Sequence, residues 1–322
     1  MEIEYVTEEE RKALLKNHPI ITKNYFIITP TITSAYALIR DRVFMRKTGT
    51  FLYATPRMGK TTCAKVIKLL LEAEFPDTFI IHFSAENNKQ KSGMLIDILC
   101  SEKIAFSNKN FKDLQMKLLT HIHSSLSERN GNQFILIIDE MQNLSEEDLI
   151  GLAAIHNRLE PLGIRMTTIG FGQPEIMDRR SSLMATNQSF LIARFLCEPI
   201  PFNGCASKED LEKILSEYDE KKFYPENSDY SFTRIFLPQA YDHGFRLSKY
   251  ANKIWSNLMK AAKGLYSNSI PMEHLSRTIE FILVAESQND CKDFTIKPAN
   301  IKAAVDASNL QYFSGLMGSA SN

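Results

Sequence analysis

From Thr50 onward, short apolar runs alternate with helical spacings, and that alternation predicts a parallel α/β layer. Residues 50–53 read as a first strand, followed by a helix over 60–74 with Val66, Ile67, Leu70 and Leu71 on one face. Pro76-Asp77 ends that helix, residues 79–83 give a second strand, and helical spacing returns over 95–106 and 111–125. Asn130-Gly131-Asn132 turns the chain into a third strand at 134–138. A helix over 146–159, a fourth strand at 164–169 and a fifth at 195–200 complete the pattern. Strands this continuously apolar need cover on both faces.

Either side of this layer the pattern changes. Residues 1–45 read as a helical and irregular N-terminal segment broken at Pro19 and Pro30. After Pro201-Phe202-Asn203-Gly204 strand signals fade, and helices are expected over 208–218, 232–241, 246–260, 272–286 and 298–309. The expected division is an N-terminal segment (1–45), a five-stranded parallel-sheet core flanked by helices (46–204), a small α-helical lid (205–311) and a flexible tail (312–322).

Composition adds exclusions. The 322 residues carry 38 basic and 38 acidic side chains, 44% apolar and 24% charged, which excludes a disordered or fibrous chain. Zero net charge removes a global pull toward nucleic acid but leaves a local basic stripe open. No apolar run approaches the roughly 18 residues of a membrane span. The acidic start lacks the basic-then-apolar order of a signal peptide, and cysteines 63, 100, 197, 205 and 291 form no CxxC pair. A cytoplasmic protein with reduced thiols and no membrane partner is expected.

The strongest chemical signal is Ala54-Thr55-Pro56-Arg57-Met58-Gly59-Lys60-Thr61-Thr62, between the first strand and the first long helix. It has phosphate-loop spacing, with Ala54 in place of the usual first glycine. Gly59 lets backbone approach an oxyanion at the positive end of a helix. Lys60 would neutralise the β- and γ-phosphates of ATP, and the Thr61 hydroxyl would ligate Mg2+. A chance match is the competing reading, and the strand before and helix after weigh against it.

The third strand ends in Asp139-Glu140. Asp139 then sits at the carboxyl edge of the sheet, placed to hold Mg2+ through water, with Glu140 beside it to orient and deprotonate an attacking water. Alone, such a pair is more often a solvated strand end; with the phosphate loop it favours nucleotide hydrolysis. Glu140 also separates an ATPase from a small-molecule kinase, whose acceptor is not water.

Further candidates lie downstream. Gln173, after the fourth strand, would reach the γ-phosphate or the water, and its bland reading is a turn residue. Arg194 is either an arginine finger reaching a neighbouring subunit's nucleotide or an internal ion pair with an acid at 198, 209 or 210. Arg179 and Arg180 are weaker candidates for the same task. Arg246 opens a helical pattern and is either a nucleotide sensor or an exposed surface residue.

Together these residues resemble AAA+ ATPases of the initiator-like branch, and more closely the TniB/TnsC-type regulators of bacterial transposition. The resemblance covers about residues 20–260. It is carried by Ala54–Thr62 (Walker A), Ile135 to Glu140 (Walker B), Gly172-Gln173-Pro174-Glu175 at sensor one, Gln188 with Arg194-Phe195, and Gly244-Phe245-Arg246 at sensor two. Ala54 and Gln173 depart from the family's usual glycine and threonine.

The resemblance implies a homo-oligomeric ring, of six or seven subunits, or a filament on double-stranded DNA. It would link a TniQ-type target selector to a TnsA/TnsB-type transposase, as in the short TnsC proteins of CRISPR-associated transposons. Rivals are a nucleotide-switched scaffold and a clamp-loader or replication-initiation ATPase. Between residues 88 and 117, lysines 89, 91, 103, 109, 112 and 117 face only acids 97, 102 and 113. In related rings this region faces the channel, and Lys103, Lys109 and Lys112 are the candidate phosphate contacts, against the plainer reading of a solvated helix face. No zinc-finger spacing or basic recognition helix points to base readout.

Overall fold

The computed structural model describes residues 8–87, 92–107 and 110–319. It divides into two compact units: residues 32–202, and the residues up to Thr31 together with those from Asn203 onward. The N-terminal 45 residues therefore do not form one piece. Pro19 and Pro30 each open a helix, Pro19–Thr22 and Pro30–Phe44, because proline tolerates the first helical turn, where an N–H has no partner anyway.

The first unit is built on five parallel strands: β1 (Gly49–Tyr53), β2 (Phe79–Ser84), β3 (Gln133–Asp139), β4 (Arg165–Gly172) and β5 (Pro199–Pro201). They lie in the order β2-β3-β4-β1-β5. Every residue of β3 is buried, and every residue of β4 except Arg165, as a doubly covered sheet requires. Helices Lys60–Glu74, Gly93–Ser101, Phe111–Glu128 and Glu146–Leu159 alternate with the strands. Phe51, Ile81, Leu95, Ile122, Leu136 and Leu152 belong to one core, each side chain worth about 1.5–3 kcal/mol of burial.

The fifth strand is shorter and later than expected. Phe195, the first residue of the expected strand, ends a helix, Ser189–Phe195, because Leu191, Ile192 and Phe195 fall on one helical face and are all buried. The end of that helix rests on the start of β1. A Cβ at Gly49 would come within 2.1 Å of the Arg194 carbonyl oxygen, so only glycine fits there. The helix expected over 95–106 stops at Ser101, with Lys103 in the left-handed region at φ 56°.

The second unit is helical. Pro238 divides the expected 232–241 helix into Phe232–Phe236 and Pro238–Asp242. The expected helix at 246–260 opens as a 3-10 turn, Leu247–Tyr250, before Ala251–Ala261. Buried polar groups stitch these pieces together. Asp219, fully buried, accepts from Thr233 Oγ1 (2.8 Å), Leu247 N (3.0 Å) and Ser248 N (2.9 Å). Tyr25 donates to Glu280 (2.9 Å) and lies 3.0 Å from the Tyr218 hydroxyl. His18 caps its helix by accepting from Ile20 N (3.1 Å), and its ring packs edge-on against Tyr224, Phe232 and Phe236.

Where a loose tail was expected from residue 312, the chain forms the helix Leu310–Ser319. Ser314 holds it, donating to Ala261 O (3.3 Å) and accepting from Lys263 N (3.2 Å). Among the described residues no helix is long and apolar enough to cross a membrane.

Candidate nucleotide site

In open α/β sheets ligands bind beyond the carboxyl ends of the strands, and here the signature residues converge on that edge. β1 and β4 end in register, Tyr53 opposite Gly172, and the next residue, Ala54, donates its N–H to Gly172 O (3.1 Å). Ala54 is not among the residues with positive φ, so alanine in place of glycine brings no backbone strain. The loop instead takes its left-handed turns at Arg57 (φ 69°) and Gly59 (φ 98°).

Gly59 is the N-cap of the Lys60–Glu74 helix and no side chain caps it, so the first-turn N–H groups are left for an anion. Lys60 is buried, and its Nζ donates to the Ala54 (2.9 Å) and Thr55 (3.2 Å) carbonyls. Burial lowers its pKa from the usual lysine range, while Glu140, Asp139 and Glu175 act in the opposite direction. Lys60 is thus electrostatically coupled to both acids at the end of β3.

Asp139 is buried, and its Oδ1 accepts from Glu140 N (3.0 Å). Glu140 leaves the strand in the left-handed region, φ 53° and ψ 41°, a conformation that costs a non-glycine residue roughly 1–2 kcal/mol. That turn carries the carboxylate toward the end of β4. There Glu140 Oε2 accepts from Gln173 Nε2 (3.2 Å) and from Gln142 Nε2. Gln142 Oε1 in turn accepts from Gln173 N (3.0 Å). Asn143 ties the same turn to β2, donating to Ala85 O (2.9 Å).

Gln142 was not legible from spacing, since a glutamine two residues past an acid has no periodic signal. The trace it leaves is indirect. Gly170 and Gly172 lie beneath the turn, where added Cβ atoms would meet Met141 Sδ at 2.1 Å and Gln142 Oε1 at 3.2 Å.

The remaining candidates are distributed. Arg194 is half-buried and its Nη1 donates to Ala153 O (3.4 Å); it makes no ion pair among the described residues. Glu198 is held by Arg42 (2.6 Å) and Lys47 (2.9 Å), and Glu209 by Lys208 (3.4 Å), so these two acids pair elsewhere. Arg179 approaches Gln142 O (3.5 Å) and Arg180 donates to Leu196 O (3.0 Å).

In the helical unit, the Arg246 guanidinium stacks over Tyr241 at 3.6 Å. It also donates to the Tyr241 (2.9 Å) and Phe245 (2.6 Å) carbonyls. Lys103 and Lys112 are exposed, whereas Lys109 lies outside the described residues.

The donor set suits magnesium. Asp139 and the Thr61 hydroxyl offer hard oxygen ligands, and no group of three His, Cys, Asp or Glu occurs among the described residues. A sparse protein contribution completed by phosphates and water is what Mg2+ prefers.

A phosphate loop, an acid pair and a β2-β3-β4-β1-β5 parallel sheet are the parts of a P-loop ATPase site. Residues 44–179 match the family model described as an AAA domain. No curated protein matches the chain by sequence. In fold, it is similar to the ORC2 protein of Aeropyrum pernix, solved as ADPNP–ADP complexes, with TM-score 0.61 at 12% identity over 90% of this chain and 71% of that one. It is similar also to Cdc6p of Pyrobaculum aerophilum, with TM-score 0.55 at 15% identity over 85% of this chain and 65% of that one. The ORC1 protein of Aeropyrum pernix, in complex with DNA, gives TM-score 0.51 at 13% identity over 91% and 68%. Residues 44–179 thus carry an AAA domain, which makes the protein an ATPase, and the fold is that of the ORC and Cdc6 structures.

Proposed function

We propose that this ATPase is a regulator of DNA transposition. It assembles as a ring or filament on double-stranded DNA and couples a TniQ-type target selector to a TnsA/TnsB-type transposase, with hydrolysis controlling the assembly. The observation that carries the hydrolytic part is the gathering of Lys60, Asp139, Glu140 and Gln173 at one sheet edge. The family part rests on the sequence text around Gln173, Gln188, Arg194-Phe195 and Gly244-Phe245-Arg246.

In this reading the phosphates of ATP lie against residues 54–62, with Lys60 exchanging loop carbonyls for phosphate oxygens. Thr61 and Asp139 would hold Mg2+, which would supply charge neutralisation to the phosphates. Glu140 takes a proton from water as the water oxygen bonds the γ-phosphorus and the bond to ADP breaks. Gln173 orients the same water. Arg194 reaches the nucleotide of a neighbouring copy, and Arg246 reads the state of its own. Lys103, Lys109 and Lys112, repeated around a ring, contact DNA phosphates.

The test is electron microscopy of the protein with duplex DNA, Mg2+ and a non-hydrolysable ATP analogue. Rings or filaments enclosing the duplex are expected. A lone protomer under all those conditions overturns the reading. Glu140→Gln is expected to abolish turnover and prolong assembly.

A second reading, an initiation ATPase that loads another protein on DNA, is favoured by the fold likeness to ORC and Cdc6 proteins. Capture of a TniQ-type protein by DNA-bound assemblies separates the two.

A further inference from the structure

We infer that Gln142 is a positioning residue for hydrolysis: its side-chain amide ties the Glu140 carboxylate to the backbone at Gln173, so that base and sensor are held as one unit. The inference rests on Glu140 acting as the base.

The geometry is two-ended. A carboxylate only accepts hydrogen bonds, and a backbone N–H only donates. Glu140 Oε2 therefore selects the NH2 of the Gln142 amide, and the Gln173 N–H selects its carbonyl oxygen, which fixes the orientation of that amide. Gln173 closes the cycle by donating from its own Nε2 to the same Glu140 oxygen (3.2 Å). Glu140 Oε1 has no partner among the described residues and is left for a water.

The turn that presents Gln142 is pinned on both sides. Asn143 bonds the end of β2, and the Met141 side chain is seated over Gly170, where a Cβ would collide with its Sδ. At Gly172 an added Cβ would crowd the Gln142 oxygen itself. Two glycines on β4 thus make room for two consecutive side chains of the turn after β3. Glu140 sits in a left-handed conformation that it would not hold unaided, and the amide bridge supplies part of the restraint. Holding a base within about 0.5 Å of its working position is the condition for efficient proton transfer, and a 1 Å displacement costs up to about 100-fold in rate.

Two variants separate the ends of the bridge. Gln142→Met keeps length and removes both hydrogen bonds. Gln142→Glu keeps the acceptor for Gln173 N–H and turns the donor into a charge facing Glu140. Single-turnover and steady-state ATP hydrolysis are measured with duplex DNA present, alongside equilibrium binding of a fluorescent ATP analogue. Both variants are expected to lose about 10- to 100-fold in kcat, with analogue Kd within about twofold of the parent protein. In a Glu140→Gln background, Gln142→Met is expected to change the residual single-turnover rate by less than about twofold, because its effect runs through Glu140.

Parental kcat in Gln142→Met overturns the inference. So does a full independent loss in the Glu140→Gln background, which would mark a structural role elsewhere. Undiminished turnover in Glu140→Gln alone overturns the base assignment and this inference with it; a dead Glu140→Gln beside a fully active Gln142→Met overturns this inference alone.

Discussion

In the sheet-bearing unit, the buried lysine and carboxylate among the described residues are Lys60 and Asp139, both at the nucleotide edge; in the helical unit the buried acids are Asp219, Glu280 and Glu286. The difference lies in how each charge is satisfied. Asp219 has three donors from its own fold, and Glu286 accepts from Asn289 and Asn300. Among the described residues, Lys60 donates to two carbonyls of its own loop, and the Asp139 side chain accepts from the next residue's N–H. Burial of a charge marks a functional site where the fold supplies few partners, and architecture where it supplies all of them.

Substitution at Lys60 tests the functional side of this contrast most severely. Lys60→Ala is expected to lower ATP hydrolysis by at least about 100-fold while leaving Tm nearly unchanged, since it removes phosphate stabilisation and a costly buried charge together. A phosphate-release assay paired with a melt checks both halves. A large fall in Tm would place Lys60 on the architectural side instead.

Asp219→Ala is the mirror experiment. It strands the Leu247 and Ser248 amides and the Thr233 hydroxyl, and is expected to cost about 3 kcal/mol in denaturant unfolding. Hydrogen exchange should then speed at residues 247 and 248 but not along β3. Equal acceleration in both units would erase the distinction drawn here.

Gly49→Ala probes packing in the sheet unit, where no polar partner is at stake. Overlap with the Arg194 carbonyl is expected to cost about 1–3 kcal/mol, visible as a lower urea midpoint with unchanged slope.

The smallest effect concerns His18. Burial lowers its pKa from 6.5 to about 4, so the folded state holds it neutral where the unfolded chain would already be protonated. Its contribution to stability is present above pH 6.5, falls as pH drops toward 4, and levels off below. His18→Asn, which keeps an N-cap acceptor for Ile20 N–H, is expected to flatten that part of the Tm–pH curve. An unchanged slope would assign the acid sensitivity to other groups.

Most of the sheet is legible because its strands are unbroken apolar runs, and the phosphate loop and Asp139-Glu140 are legible because chemistry fixes their spacing. The start of the strand expected at 195–200 misleads because Phe195 joins Leu191 and Ile192 on one buried helical face, and Gly49 makes room for that helix. Asp219 looks like one more solvated acid in a charged stretch, since nothing local announces donors at 233, 247 and 248. Gln142 is hidden for the same reason: its partners come together only once β3 and β4 are side by side.

One close approach has a mechanical consequence. Because residue 49 bears no methyl, the chain at Arg194 rests on the first residue of the strand that delivers Ala54, with backbone against backbone. Five residues of extended chain, roughly 17 Å, separate that fulcrum from the loop. A displacement of the Arg194 backbone is therefore passed along a stiff lever, without the slack that a side chain packed between the two segments would introduce.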